Sequence, residues 1–275
     1  MSRFLFLALV LGAVSAAAAP PKQTTPKTAV VTIKTRDGMS LKADWTPPTA
    51  PKRGVIIGLH MVETGRMAFQ PLLEFAAVEG LGVLALDLRG HGESRTQKGK
   101  DLLEAVQRRD PALFTAMPQD VEAALKFVKS KGFASDKVVL IGGELGAQLA
   151  LTYAATDPKL RAAVLLTPEK EAFGLGAMGP ARQWGDRPLL IVTAKDHEAL
   201  GPKQVYEALD AKTKRRAVLL TVPQEGMKGT RLFGVVPNLP RRLVEWAAIQ
   251  LGRDAHASKP MPKVKAAVPV PAKKP

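Results

Sequence analysis

Residues 138–150 constrain the fold of this 275-residue chain more than any other stretch. They begin with Val-Val-Leu-Ile, an apolar run whose β-branched valines are typical of a buried strand. Glycines at 142, 143 and 146 then surround a single glutamate, and a helical pattern of Leu, Ala and Gln follows. Because glycine lets a strand and a helix approach closely, the stretch predicts a sharp turn that presents Glu144 at the N-terminus of a helix.

The rest of the chain alternates between strand and helix patterns around this unit. Asp37-Gly38 separates two strand patterns at 29–34 and 40–45, which indicates a hairpin. Later strands are predicted at 54–60, 82–87, 162–166, 188–193 and 216–222, and helices at 71–79, 118–131, 202–211 and 240–251. Such alternation predicts an α/β fold, with a mostly parallel sheet covered by helices on both faces after an antiparallel N-terminal hairpin.

The composition favours one globular domain without thiol chemistry. Hydrophobic residues make up 46% of the chain and charged residues 24%. There is no cysteine, which excludes a disulfide framework and a thiol nucleophile. Imidazole chemistry is restricted to His60, His91, His197 and His256, and their spacing does not indicate a metal site. We therefore expect neither a metal nor another cofactor.

Both ends of the chain differ from its middle. Residues 1–19 combine Arg3, an apolar run and alanines in an A-x-A pattern, which predicts a signal peptide and an exported protein, periplasmic or secreted. A Pro/Thr/Lys linker at 20–27, a folded domain at 28–254 and a disordered basic tail at 255–275 should follow. An uncleaved membrane anchor is the alternative for the leader.

The formal net charge of +15 favours anionic partners. Five lysines and no acidic residue lie between 257 and 275, so an anionic envelope polymer or a membrane surface is the expected partner of the tail. A plain solvated terminus is the alternative. The basic residues form no recognisable nucleic-acid motif, and specific nucleic-acid binding is not expected.

Five motifs in order carry a resemblance to a known family. They are His60-Met61 after a strand, Asp-Leu-Arg-Gly-His-Gly-Glu-Ser at 87–94, Gly-Gly-Glu-Leu-Gly at 142–146, Asp196 after a strand, and Gly-Met-Lys-Gly at 226–229. Their order and spacing resemble the α/β-hydrolase superfamily, in particular exported bacterial esterase-like or dienelactone-hydrolase-like members. The resemblance implies that residues 142–146 form the nucleophile elbow. The segment between 167 and 187 is too short for the large lid of lipases.

The resemblance also implies which residues occupy the catalytic positions. Active relatives carry serine where this chain has Glu144 and histidine where it has Lys228, whereas Asp196 matches the family's acid. Leu145 and the backbone at His60 and Met61 match the oxyanion hole. Loss of the serine or the histidine alone costs on the order of 10⁶ in turnover in a worked serine protease, so we expect a non-catalytic member with a degenerate triad.

The two replacements bring opposite charges to positions that touch in this fold. Charges about 4 Å apart attract by roughly 4 kcal/mol at an effective dielectric of about 20, and desolvation offsets much of this. The preferred interpretation is an ion cluster of Glu144, Lys228 and Asp196 that fills a former active site. One alternative is a hydrolase, acting on a carboxylic ester or a related bond, in which Glu144 is the nucleophile or base. The other is a binding module that retains the cleft for a small-molecule ligand.

Overall fold

An eight-stranded sheet forms the centre of the molecule in a computed structural model that describes residues 26–252. Its strands are β1 Ala29–Lys34, β2 Ser40–Thr46, β3 Val55–Leu59, β4 Gly82–Leu86, β5 Val138–Gly143, β6 Ala162–Leu166, β7 Leu189–Ala194 and β8 Ala217–Val222. They lie in the order β1-β2-β4-β3-β5-β6-β7-β8. β2 runs antiparallel to both of its neighbours, and all other pairs are parallel.

Ten α-helices connect and cover the strands in the described part of the chain. They are α1 Leu73–Val78, α2 Leu103–Gln107, α3 Pro111–Thr115, α4 Pro118–Ser130, α5 Leu145–Thr156, α6 Met178–Arg182, α7 Pro202–Ala208, α8 Ala211–Lys214, α9 Leu232–Val235 and α10 Leu239–Gln250. Short 3₁₀ helices span Arg66–Leu72, Ser135–Lys137, Lys195–Leu200 and Gly229–Arg231.

The sheet is buried on both faces, as parallel sheets require. In β4, Leu84 and Leu86 pack into the cluster that also includes residues of α4 and α5, whereas Val83 and Ala85 pack into the cluster of α1 and α10. This alternation follows from the two-residue period of a strand. The predicted α/β architecture, with a mostly parallel sheet after an antiparallel hairpin, is confirmed, and 167–187 holds only a two-stranded turn and α6 among its regular elements.

Two helix predictions need correction. The helix expected at 71–79 begins as an α-helix at Leu73, and Pro71 lies inside a preceding 3₁₀ helix. The helix expected at 202–211 is interrupted at Leu209, whose backbone is extended, so that α7 and α8 are separate. The Asp210 carboxylate caps α8 by accepting from the Thr213 N–H at 2.7 Å, which explains where the second helix begins.

The predicted leader, nearly all of the linker, and the tail lie outside residues 26–252, and these assignments stay predictions. None of the helices between 26 and 252 combines the length and apolarity needed to cross a bilayer.

Candidate functional site

The turn between β5 and α5 holds Glu144 in a strained conformation. Its φ of 47° and ψ of −104° lie outside the regions that side chains favour. Glycine is required on both sides: a Cβ at Gly142 would lie 2.2 Å from the Gly146 carbonyl oxygen, and one at Gly146 would lie 1.9 Å from the Leu59 carbonyl oxygen. The Glu144 N–H donates to the Leu166 carbonyl at 2.9 Å, so three neighbouring strands hold this turn in place.

Glu144 and Lys228 form an ion pair at the centre of the site. The Lys228 ammonium Nζ donates to Glu144 Oε1. A second carboxylate, Glu169, lies 3.8 Å from the same ammonium. The Glu144 side chain is only 6% exposed, whereas those of Lys228 and Glu169 are 36% and 37% exposed. The cluster therefore combines one buried carboxylate, Glu144, with two partly exposed groups that solvent or a ligand can reach.

Asp196 does not complete this cluster, in contrast to the prediction from the sequence. Within residues 26–252, the ion pairs of Lys228 are those with Glu144 and Glu169. The Asp196 carboxylate instead accepts from the Gly226 N–H at 2.7 Å and lies 3.9 Å from His197 Nε2. Asp196 sits in the 3₁₀ helix after β7, so its side chain holds the loop that leads to Lys228.

The residues predicted for the oxyanion hole lie beside Glu144. Leu145 is buried and is the first residue of α5, where the opening N–H groups of a helix have no acceptor within that helix. Met61 is buried, and its carbonyl accepts from Thr64 Oγ1 at 2.8 Å. The Met61 sulfur would lie 3.1 Å from a Cβ placed on Gly229, so the two loops meet above the turn.

Both ring nitrogens of His60 form hydrogen bonds that fix the loop after β3. Its Nε2 accepts from the Leu88 N–H at 2.9 Å, so the proton is on Nδ1, which bonds the Met61 carbonyl at 2.7 Å. Complete burial, with a smaller effect of His91, lowers the pKa of His60 to about 3. His60 is therefore a neutral, fully bonded imidazole rather than a free base.

His91 is also buried and neutral. Its Nδ1 bonds the Arg89 carbonyl at 3.0 Å, and its ring lies 5.0 Å from that of His60 in an edge-to-face arrangement. Burial lowers the pKa of His91. Within residues 26–252 no histidine side chain bonds Glu144. The turn therefore lacks the histidine base of a serine hydrolase in this part of the chain.

Thr167 positions the loop that carries Lys228. It follows β6 with a φ of 52°, and its hydroxyl accepts from the Gly229 N–H at 3.2 Å. Neither Thr167 nor Glu169 was predicted from the sequence. Both residues follow β6, which runs parallel to β5, so the carboxyl ends of the two strands lie at the same edge of the sheet. This position after a parallel strand could have marked them as site residues.

An open pocket of about 240 Å³ adjoins the ion cluster. It is lined by polar and apolar residues together: Thr167, Pro168, Glu169, His197, Leu200, Pro202 and Lys228. Its place at the carboxyl ends of parallel strands is where α/β folds bind ligands. No group of three or more His, Cys, Asp or Glu residues between 26 and 252 is arranged to hold a metal ion.

The turn at 87–94 is a separate, structural unit. Arg89 is almost fully buried; its Nε and Nη2 donate to Asp120 Oδ1 at 2.8 and 2.7 Å, and its Nη1 reaches Asp37 at 2.6 Å. The Ser94 hydroxyl donates to the Asp87 carbonyl at 2.7 Å and accepts from the Lys42 N–H at 2.8 Å. The motif thus binds the turn to β2 and α4, and the Leu88 N–H also binds it to His60.

Comparisons with known proteins agree with this fold. The chain is 25% identical over 214 residues to thiohydrolase apmlB of Arthrinium phaeospermum, a match that covers 77% of this chain and 65% of that protein. The chain thus spans just under two thirds of that relative's length. An esterase of Pyrococcus furiosus superposes with a TM-score of 0.62 at 19% identity, covering 86% of this chain and 96% of the esterase. The esterase domain of a Rhodothermus marinus protein gives 0.57 at 16% identity, covering 82% and 100%.

At these identities, the solved structures establish the fold and leave the activity open. The family is shown by a sequence match: residues 58–272 match the alpha/beta hydrolase family. That range takes in the strained turn, the turn at 87–94 and the loop of Lys228. The chain belongs to the alpha/beta hydrolase family.

Proposed function

We propose that this chain is a non-catalytic member of its family that binds a small molecule in its cleft. The observation that carries the proposal is the ion pair between Lys228 and Glu144 at the nucleophile position. An ammonium has three donors and no acceptor, so Lys228 cannot take a proton from an attacking group. A hydrolytic cycle by the family's route requires both a nucleophile and a base.

The covalent structure of glutamate supports the same proposal. In an acyl-enzyme, serine Oγ joins Cβ to the acyl carbon of the substrate. In Glu144, Cγ joins Cβ to the carboxyl carbon, so the carboxylate stands at the place of a bound acyl group. Because this carboxylate is nearly buried and paired, a substrate carbonyl would have to displace it from the turn.

The remaining cleft supports binding. The pocket lies beyond Lys228, towards His197 and Leu200, and does not overlap the buried part of Glu144. Its mixture of apolar walls and a few charged groups is typical of small-molecule sites. Glu169 and Lys228 are both partly exposed there and offer an acceptor and donors to a ligand.

Hydrolysis of p-nitrophenyl acetate and labelling by a fluorophosphonate probe test the catalytic half of this proposal. The natural chain should show no turnover above buffer and no labelled serine. Combining Glu144→Ser with Lys228→His removes both charges together, and weak activity should appear in this double variant and in neither single one. Turnover by the natural chain that disappears in Glu144→Gln would instead make Glu144 a nucleophile or base and contradict the proposal.

Ligand-detected NMR with a library of small polar fragments tests the binding half. Hits should lose their signal in Leu200→Trp, which fills the pocket, and keep it in Val30→Trp, a matched change of another exposed aliphatic residue. Equal binding by both variants would place the ligand elsewhere, and a library without hits would remove the support for a binding role.

The chain's localisation and tail belong to the same proposal. We propose an exported, periplasmic or secreted protein, because residues 1–19 have the pattern of a cleavable leader. The basic tail would then attach it to an anionic polymer or membrane surface. An intact Met1 in protein recovered from the cell envelope, or retention on an anionic matrix that is unaffected by salt, would count against these statements.

A further inference from the structure

β8 is an edge strand without charged residues. Within residues 26–252 no strand pairs with its outer side. Its sequence is Ala-Val-Leu-Leu-Thr-Val, and it ends the sheet order beside β7. Val218 is 49% exposed, and Leu219 and Leu220 are only partly buried. An exposed apolar edge strand is a template for pairing with another strand.

The opposite edge of the sheet is protected in a way that β8 is not. β1 ends in the exposed and charged Lys34, whereas β8 contains no charged residue. Charged side chains on an edge strand discourage pairing with another chain. Of the two edges, β8 is therefore the one suited to an interface.

The backbone of β8 presents alternate residues to solvent. The Leu189 N–H donates to the Arg216 carbonyl, and the Lys195 N–H donates to the Gln224 carbonyl, both at 3.3 Å. Even-numbered residues of β8 thus direct their backbone groups towards β7, because successive residues of a strand alternate. Ala217, Leu219 and Thr221 direct their N–H and C=O groups outwards.

Charges of opposite sign lie at the two ends of this strand. Lys214, Arg215 and Arg216 precede it, whereas Glu225 follows it. Glu198 adds a second carboxylate at the acidic end, where it accepts from the Thr221 hydroxyl at 2.6 Å. When two copies of such a strand run antiparallel, the basic end of each meets the acidic end of the other.

We propose that two copies of this chain pair antiparallel through β8 and form a two-fold dimer with one continuous sheet. The dyad passes through Leu219, so that the two Leu219 residues exchange N–H···O bonds and Ala217 pairs with Thr221 of the other copy. Centring the pair on Leu220 would place Ala217 opposite Pro223, which has no N–H to donate. In the chosen register the basic residues that precede β8 lie next to the segment that follows β8 in the other copy, and the long Arg215 side chain can extend towards Glu225 there.

Sedimentation velocity of the full chain at 1–100 µM tests the dimer. A species of twice the chain mass is expected. Leu219→Pro should raise the dissociation constant at least tenfold, because it removes an outward N–H and leaves the bonds to β7 intact. Circular dichroism of this variant checks that the monomer remains folded.

Charge reversal tests the register independently of proline. Arg215→Glu should weaken the dimer about threefold to thirtyfold, and adding Glu225→Arg should restore it, since two surface ion pairs form per dimer. Arg108→Glu, the same charge reversal at another exposed arginine just after α2, should leave the dimer intact. A monomer at 100 µM, a dimer indifferent to Leu219→Pro, or a charge swap without rescue would overturn the proposal. So would cross-links that place residues 253–275 of the same copy on β8.

Discussion

Two of the carboxylate-rich ion clusters within residues 26–252, those of Arg89 and Lys228, differ in depth and in bonding. Arg89 is 2% exposed and bonds two aspartates, each of them through two nitrogens of its guanidinium. Lys228 is 36% exposed and meets Glu144 and Glu169 through a single ammonium. The first cluster joins a turn to the body of the fold, whereas the second lies at the edge of an open pocket.

This difference separates a structural motif from a site. A planar guanidinium fixes the direction of its partners, and the Arg89 cluster leaves no surface for a ligand. A lysine ammonium is a point charge on a flexible stem, and Lys228 can keep Glu144 neutralised while its exposed side contacts a ligand. The cluster that resembles an active site is thus the less rigid of the two.

Removal of Arg89 should have the largest effect on stability. Arg89→Ala leaves the fully buried Asp120 carboxylate without its cation, and breaking a buried pair in this way costs about 3–5 kcal/mol. Urea denaturation of the variant measures the loss. The matched control is Arg108→Ala, whose exposed pair with Glu104 should contribute about 0.5 kcal/mol or less. Equal losses in both variants would show that burial does not distinguish the Arg89 cluster.

Acid should weaken the link between the loop after β3 and the turn at 87–94, because His60 bonds the backbone of both. Its pKa of about 3 in the fold lies below its ordinary value of 6.5, so unfolding takes up a proton below pH 6.5. The stability it contributes is complete above pH 6.5 and falls by about 1.4 kcal/mol per pH unit as the pH drops towards 3.

His60→Gln tests this slope while retaining an acceptor for the Leu88 N–H. The free energy of unfolding of the variant should fall less steeply between pH 6 and 4 than that of the natural chain. Identical slopes in the variant and the natural chain would mean that His60 does not take up a proton on unfolding.

The sequence was most informative where a steric rule leaves one solution. The close strand–helix turn requires glycine at 142 and 146, so the sharp turn at Glu144 could be predicted. Side-chain contacts that depend on the direction of a loop could not be predicted from the sequence. Asp196 follows its strand as the family pattern requires, but a 3₁₀ helix turns its carboxylate to the Gly226 backbone. Glu169, two residues beyond the positive φ of Thr167, takes the place beside Lys228.

The different exposures of Glu144 and Lys228 also predict how much stability each alanine substitution should cost. Lys228→Ala leaves Glu144 buried and unpaired, whereas Glu144→Ala leaves an exposed ammonium with Glu169 still beside it. We therefore expect Lys228→Ala to be the more destabilising change, by about 1–3 kcal/mol against about 1 kcal/mol or less.

A double-mutant cycle on Glu144 and Lys228, measured by urea denaturation, tests the central claim most directly. If the two side chains neutralise each other at the nucleophile position, the double alanine variant should cost less than the sum of the single variants. The expected coupling is about 0.5–3 kcal/mol. Strictly additive losses would contradict the account, because Glu144 would then be a free carboxylate at the turn.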